Sequence, residues 1–233
     1  MRTLIDSDGD RTLSPAQARR FYDRLGSWLD TQRFYEDRAV SALVARSRFE
    51  AAQSVFELGC GTGRLAARLL ANVLCAGSRY TAVDVSATMV RLTTERLRPW
   101  AGRVNVRLTG GSARSGEPDA CHDRFVATYV LDLLSDRAIR DVLAEAHRIL
   151  TDDGLLCVVT LTSGSRGFAR LVTAAWTWLQ RRNPLLVGGC RPLHAADYLS
   201  GGCWGVEYPQ TIVAFGVSSE IVVAAKRGRR VNS

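Results

Sequence analysis

Val55-Phe-Glu-Leu-Gly-Cys-Gly-Thr-Gly63 is a short apolar run that carries one acid, Glu57, and closes on three alternate glycines, with a helical pattern over residues 64–71 directly behind it. A strand that ends in glycines and gives way to a helix forms the ligand-binding corner of an open α/β sheet. Glycine tolerates positive φ at such a corner and lets the backbone approach a ligand with no Cβ in the way. Farther on, Asp84 closes a second apolar run. An acid roughly twenty residues after the loop sits where a carboxylate reaches the two hydroxyls of a ribose. The pair predicts a nucleoside-type ligand. Ser86 is placed to cap the next helix, and Met89, one turn in, offers an apolar surface to an adenine face.

Short apolar runs alternate with amphipathic helices on both sides of this corner, the sequence form of a parallel sheet covered on both faces. Strands are predicted at 54–58, 80–85, 104–108, 124–129 and 155–161, and helices at 64–71, 87–97 and 136–150. The last helix carries Ile139, Val142, Leu143, Ala146, Ile149 and Leu150 on one face, and Thr151-Asp-Asp-Gly154 punctuates it before the fifth strand. Residues 206–215 and 220–225 read as two further strands joined by Gly216-Val-Ser-Ser219, a connection short enough to make them antiparallel neighbours. The expected fold is therefore α/β, with a seven-stranded sheet that is mostly parallel, a C-terminal antiparallel hairpin and helices on both faces.

Ahead of the sheet, Ser14-Pro15 starts a helix with Phe21, Tyr22, Leu25 and Leu29 at near-helical spacing. Asp30 can cap a second helix with Tyr35, Ala39, Val40, Leu43 and Val44 in one stripe. Residues 1–50 are thus expected to be a helical cap and 51–233 the core. The core is interrupted at about 162–194 by a lid-like insertion, whose residues 168–179 are amphipathic.

Gly61-Thr-Gly63-Arg-Leu-Ala66 also fits a dinucleotide fingerprint. Glu57, two residues before Gly59, stands against that reading, since an acid there repels a pyrophosphate and suits a ligand with positive charge. Taken in order, the segments resemble the class I S-adenosylmethionine-dependent methyltransferases, whose first motif E/D-x-G-x-G-x-G is present as Glu57-Leu-Gly59-Cys-Gly61-Thr-Gly63. The resemblance runs from about Phe21 to Ala225 and implies a Rossmann-like fold with S-adenosyl-L-methionine as cofactor.

By that resemblance Gly59, Cys60, Gly61 and Gly63 pass close to the methionine part, and Asp84 with Val85 holds the ribose. Gly111-Ser112-Ala113 stands where the family has an acid-containing segment after the third strand, with serine where Asp is common, so Ser112 and Ala113 fall beside the adenine. Asp123-Arg-Phe-Val-Ala-Thr-Tyr-Val-Leu-Asp-Leu-Leu134 is similar to the fourth-strand motif, which puts Thr128 to Leu131 along the cleft. Phe21-Tyr22-Asp23 is similar to the N-terminal helix of the quinone-biosynthesis and small-lipid branch, where a tyrosine closes over the cofactor, a contact assigned to Tyr22.

A sulfonium methyl is already electrophilic, so the protein's task is to align a nucleophile, a contribution of about 7 to 11 kcal/mol. An amine with a free lone pair needs no base, whereas a hydroxyl or acidic carbon does. Tyr129 and His194 are the candidate catalytic residues. The expected reaction is methyl transfer to a small, partly apolar molecule: a quinone precursor, a lipid head group or a secondary metabolite. A cofactor-binding partner protein without activity and a nicotinamide-dependent oxidoreductase are the alternatives.

The totals narrow the rest. In 233 residues, 46% hydrophobic and 23% charged, one good core can form. The 31 basic residues against 23 acidic give +8, with Lys226 the only lysine, and the arginines are scattered as on a solvated surface. No base-flipping motif and no basic, aromatic-studded module is present, which disfavours a nucleic-acid substrate. Six cysteines contain no C-x-x-C pair and no histidine at zinc-ligand spacing, so no metal site is expected. Met1 to Asp10 has no apolar signal core and no run reaches spanning length, which predicts a cytoplasmic protein with free thiols. Trp176, Trp178, Arg181 and Arg182 in the insertion leave room for peripheral contact with a lipid surface.

Overall fold

A computed structural model describes residues 15–25, 33–163, 190–200 and 202–227. The expected Tyr22 contact, the stripe at 168–179 and the terminal basic run past 227 lie outside the described residues and side chains.

Seven strands form one sheet in the order β3-β2-β1-β4-β5-β7-β6. They are β1 (Ser54–Leu58), β2 (Arg79–Asp84), β3 (Val104–Leu108), β4 (His122–Thr128), β5 (Leu150–Leu161), β6 (Trp204–Ala214) and β7 (Val217–Lys226). The β1–β2, β1–β4, β2–β3 and β4–β5 pairs are parallel, while β7 runs antiparallel to both β5 and β6. Helices α1 (Pro15–Leu25), α2 (Arg33–Arg46), α3 (Arg64–Asn72), α4 (Ala87–Arg96), α5 (Asp136–Ile149) and the short α6 (Ala195–Leu199) surround the sheet. Strand order reverses between β1 and β4, so a crevice opens at the carboxyl ends of those two strands.

Each strand feeds two cores because its side chains alternate. In β5, Leu155, Cys157 and Val159 pack with Ala39 and Leu43 of α2 and with Leu65, Leu69 and Leu70 of α3. Leu156 and Val158 pack on the other face with Ile139, Val142 and Leu143 of α5 and with Leu199 and Trp204. Every one of these is at most 8% exposed, and each large aliphatic side chain so buried contributes about 1.5–3 kcal/mol. Ser86 and Ser135 cap α4 and α5, their hydroxyl oxygens accepting from Met89 N (3.2 Å) and Ala138 N (3.3 Å). Among the described residues no helix is long and apolar enough to cross a membrane.

Two local readings are corrected. Thr151-Asp-Asp-Gly154 is no turn ahead of β5 but lies within that strand's span, where the register jumps from His122↔Leu150 to Arg124↔Leu155. Gly154 suits this bulge, since a Cβ there would lie 2.9 Å from the Thr151 carbonyl. The β6–β7 connection is tighter than Gly216–Ser219: Phe215 (φ 52) and Gly216 (φ 81) make the whole turn, and Val217 already pairs with Ala214. Positive φ at both central residues matches the right-handed twist of the flanking strands.

Candidate functional site

The loop after β1 is fixed from below and from one side. Gly59 N and Cys60 N donate to the Val83 carbonyl of β2 (2.8 and 3.0 Å), and Gly63 N donates to Cys60 O (2.9 Å). Thr93 of α4 reaches in and donates to Gly61 O (2.8 Å), and the buried Cys60 thiol donates to the Thr93 hydroxyl (3.6 Å). Gly59, Gly61 and Gly63 all have positive φ (70°, 54° and 76°). A Cβ on Gly59 would lie 2.4 Å from Val130 Cγ2, and one on Gly63 3.1 Å from the Thr93 backbone, whereas one on Gly61 would meet nothing within 4 Å. The loop is closed at its two ends and open at its middle glycine.

Asp84, at the end of β2, is 8% exposed. Its Oδ2 accepts from Gly61 N (3.0 Å) and its Oδ1 from Ser86 N (2.9 Å), so one carboxylate joins the open glycine to the start of α4. Burial raises its pKa, partly offset by those backbone N–H groups. Each carboxylate oxygen has two acceptor positions, which leaves capacity for a hydroxyl donor at both. Glu57 is buried beneath the loop, where its carboxyl accepts from the Tyr80 hydroxyl (2.9 Å). Desolvation lifts its pKa to about 8, and the nearby Asp84 charge adds to the rise.

The other expected cofactor residues fall as follows. Val85 is half-buried, and Met89 is buried at 1% exposure, packed inward from α4. Ser112 is exposed and accepts from Arg114 N (3.2 Å), while Ala113 packs at the edge of the α5-side core. Thr128 is half-buried and ends β4 opposite Val159. Asp23 of α1 was not singled out from the sequence. Its Oδ1 accepts from the Ser86 hydroxyl and from Thr88 N (3.3 Å), docking α1 beside the α4 N-terminus. Those bonds, the Ser86 hydroxyl first, lower its pKa.

Tyr129 follows β4 with positive φ (55°), its N–H donating to Val159 O (2.7 Å) and its hydroxyl hydrogen-bonded to Ser219 Oγ on β7 (2.9 Å). Burial drives its pKa upward, so at neutral pH it is a neutral phenol. His194 is exposed at the carboxyl end of β5, with Nδ1 hydrogen-bonded to Thr162 Oγ1 (3.0 Å). The two candidates are therefore held at the carboxyl ends of neighbouring strands, 129 after β4 and tied to β5 and β7, 194 beyond the end of β5 and tied to Thr162.

Asp132 escaped the sequence reading. It lies in the single 3-10 turn Leu131–Leu133 after β4, is 0% exposed, and its Oδ2 accepts from Leu161 N (3.3 Å) at the end of β5. Its Oδ1 has no hydrogen-bond partner. Desolvation lifts its pKa to about 7, moderated by backbone bonds and by Arg191. The usable signal was one acid inside the apolar run Val130-Leu-Asp-Leu-Leu134.

A second polar group occupies the approach to β4. Glu117, Cys121 and His122 bring potential ligand atoms within 4.8 Å of one another. Both nitrogens of the His122 ring are already used, Nδ1 by Ser54 Oγ (2.7 Å) and Nε2 by Glu117 Oε2 (2.9 Å), and Arg107 holds the other Glu117 oxygen.

Residues 55–154, from β1 to the β5 bulge, match a protein-family profile described as a methyltransferase domain. That segment is similar to a methyltransferase domain, and it lies on a Rossmann-like sheet. Solved structures agree on the fold. One is a methyltransferase in complex with the Haloferax volcanii Trm112 activator (TM-score 0.72, 14% identity, covering 91% of this chain and 99% of that one). Another is the [4+2]-cyclase SpnF (0.68, 16%, 92% and 96%). A third is the geranyl diphosphate C-methyltransferase of Streptomyces coelicolor A3(2), solved with S-adenosyl-L-homocysteine (0.62, 13%, 83% and 76%). A search of curated protein sequences gives no match. The matched segment thus holds the glycine loop, the β2 acid and the post-β4 turn in one continuous block, with α1, α2 and the β6–β7 hairpin outside it.

Proposed function

We propose that the chain transfers a methyl group from S-adenosyl-L-methionine to a small, partly apolar molecule such as a quinone precursor, a lipid head group or a secondary metabolite. The carrying observation is the open middle of the glycine loop: Gly61 has free space where a Cβ would stand, directly beside a buried carboxylate bonded to its N–H. That arrangement fits an adenosyl sulfonium. Asp84 would hold the ribose hydroxyls, Gly59 to Gly63 would pass along the methionine part, and the Asp84 carboxylate favours a cation over a pyrophosphate.

When bound, the cofactor supplies an electrophilic methyl. The chain's own share is to fix the loop through Val83 and Thr93 and to exclude water by burying the turn after β4. The geranyl diphosphate C-methyltransferase, a structure of similar fold that holds geranyl-S-thiolodiphosphate, supports the reading of a small, partly apolar acceptor. Incubating the full chain with methyl-labelled cofactor and a small-molecule extract should yield a labelled low-mass product by mass spectrometry. Cofactor binding with no labelled product would instead mark a silent partner protein, and no cofactor binding would refute the reading.

A further inference from the structure

Asp132 combines three properties that a merely structural acid does not need together. It sits in the turn after β4, whose Val130 packs against Gly59, so it belongs to the wall of the cofactor crevice. It is fully buried, yet only Oδ2 is used, by Leu161 N, and Oδ1 is left without a partner. The strap at 190–193 crosses it, with Arg191 N donating to Asp132 O and Leu193 N to Leu161 O, both at 2.9 Å. A buried acceptor without a donor costs about 1–3 kcal/mol, so its retention calls for a use.

We infer that Asp132 is the proton acceptor of the methyl transfer, its free Oδ1 taking the proton of a hydroxyl acceptor as that oxygen attacks the methyl group. This rests on the methyl-transfer reading above and narrows it to acceptors with an acidic hydroxyl, of the phenol or enol class, over amines. In the step the sulfur–methyl bond breaks and the oxygen–methyl bond forms, while the hydroxyl proton moves to Asp132. The products are a neutral thioether, a methyl ether and a carboxylic acid, so one positive and one negative charge cancel. A dry site favours such a step.

The groups around Asp132 agree with this role. Tyr129 just after β4 and Cys190 on the strap are both pushed upward by burial and by the Asp132 charge, and Glu36 of α2 acts on both in the same sense, so neither competes as an anion. Arg191 draws the Asp132 pKa down only modestly, its guanidinium bonding to Leu134 O (3.0 Å) and Asp136 Oδ1 (2.6 Å), the latter also held by Tyr198. A carboxyl titrating near 7 is ionised often enough at neutral pH to accept a proton and acidic enough to release it afterwards. An amine acceptor would need none of this.

The test uses the full chain, the labelled cofactor and the small-molecule extract, with phenol, catechol, aniline and benzylamine as defined acceptors. Asp132→Asn retains an oxygen for Leu161 N, and Asp132→Ser is read beside it. The proposal expects the labelled product to be a methyl ether and turnover to fall 100-fold or more in Asp132→Asn. It also expects cofactor Kd to stay within threefold, and the acid limb of the wild-type pH–rate profile, near pH 7, to disappear. An N-methylated product, turnover within threefold of wild type, or an unchanged acid limb would overturn it. Loss of cofactor binding in both variants would overturn it too, by assigning Asp132 to the fold. Absence of any product from the wild type would remove the methyl-transfer reading itself, a distinguishable failure.

Discussion

Acids at the crevice and acids along the flank leading into β4 live under opposite conditions. At the crevice Glu57, Asp84 and Asp132 are buried, none is ion-paired, and burial raises the pKa of each. On the flank, Glu145 accepts from Arg148 and from Ser115, and its pKa falls to about 2. Asp119 takes the other arm of Arg148, and Glu117 is held by Arg107 and His122. The flank network matches every acid to a donor, which is how a fold stabilises itself. The crevice gives its acids only neutral donors and leaves Asp132 Oδ1 without one, which is how a site stays ready for a ligand that brings the missing donor or the missing positive charge.

The contrast breaks most easily in the glycine loop. Gly59→Ala places a Cβ against Val130 at positive φ, and strain plus overpacking should cost about 3 kcal/mol or more of stability in denaturant unfolding. Gly61→Ala meets no neighbour. It should cost only about 1–2 kcal/mol through φ, while weakening cofactor binding more than its small stability loss suggests. Equal effects on both quantities at the two glycines would refute the open-centre description.

Asp84→Ala removes the acceptor of Gly61 N and Ser86 N. Cofactor affinity should drop roughly 10- to 100-fold, the equivalent of about 1.5–3 kcal/mol for hydrogen bonds to a charged group. Arg148→Ala sharpens the other half of the comparison. It should lower stability by about 2 kcal/mol at neutral pH and leave cofactor affinity unchanged. The Glu145 contribution is present above the unfolded value of 4.5 and is lost as pH falls through about 2, so wild type and variant should converge in strong acid.

Glu57 carries the opposite pH dependence. Its folded pKa lies above its unfolded one, 4.5 rising to about 8, so the folded state binds more protons across that window and stability falls as pH rises through it. Glu57→Gln, which keeps an acceptor for Tyr80, should therefore melt higher than wild type in alkaline buffer, by a margin that grows as pH rises through about 8. The gain should shrink in mild acid. A larger gain in acid would reverse the sign of the argument.

Much of this was legible in the sequence because it depends on local pattern. β1 and β3 fall at the residues predicted, since short apolar runs bounded by turn residues are local signals, and Ser86 caps its helix as its position suggests. The loop and Asp84 were legible for the same reason. What escaped depends on pairing between distant segments. The β4–β5 register jump arises from the partner strand, so Thr151–Gly154 read as a plain turn. Asp132 looks like any acid in a turn until the end of β5 and the strap at 190–193 are laid over it. Asp23 becomes notable only when α1 docks on the α4 cap.

The most direct test of the central claim is calorimetric titration of the full chain with S-adenosyl-L-methionine, run beside NADH. Saturable binding of the sulfonium at one site per chain, displaced by S-adenosyl-L-homocysteine and absent for NADH, is the predicted result. No heat with the sulfonium, or saturable binding of NADH in its place, would contradict the account.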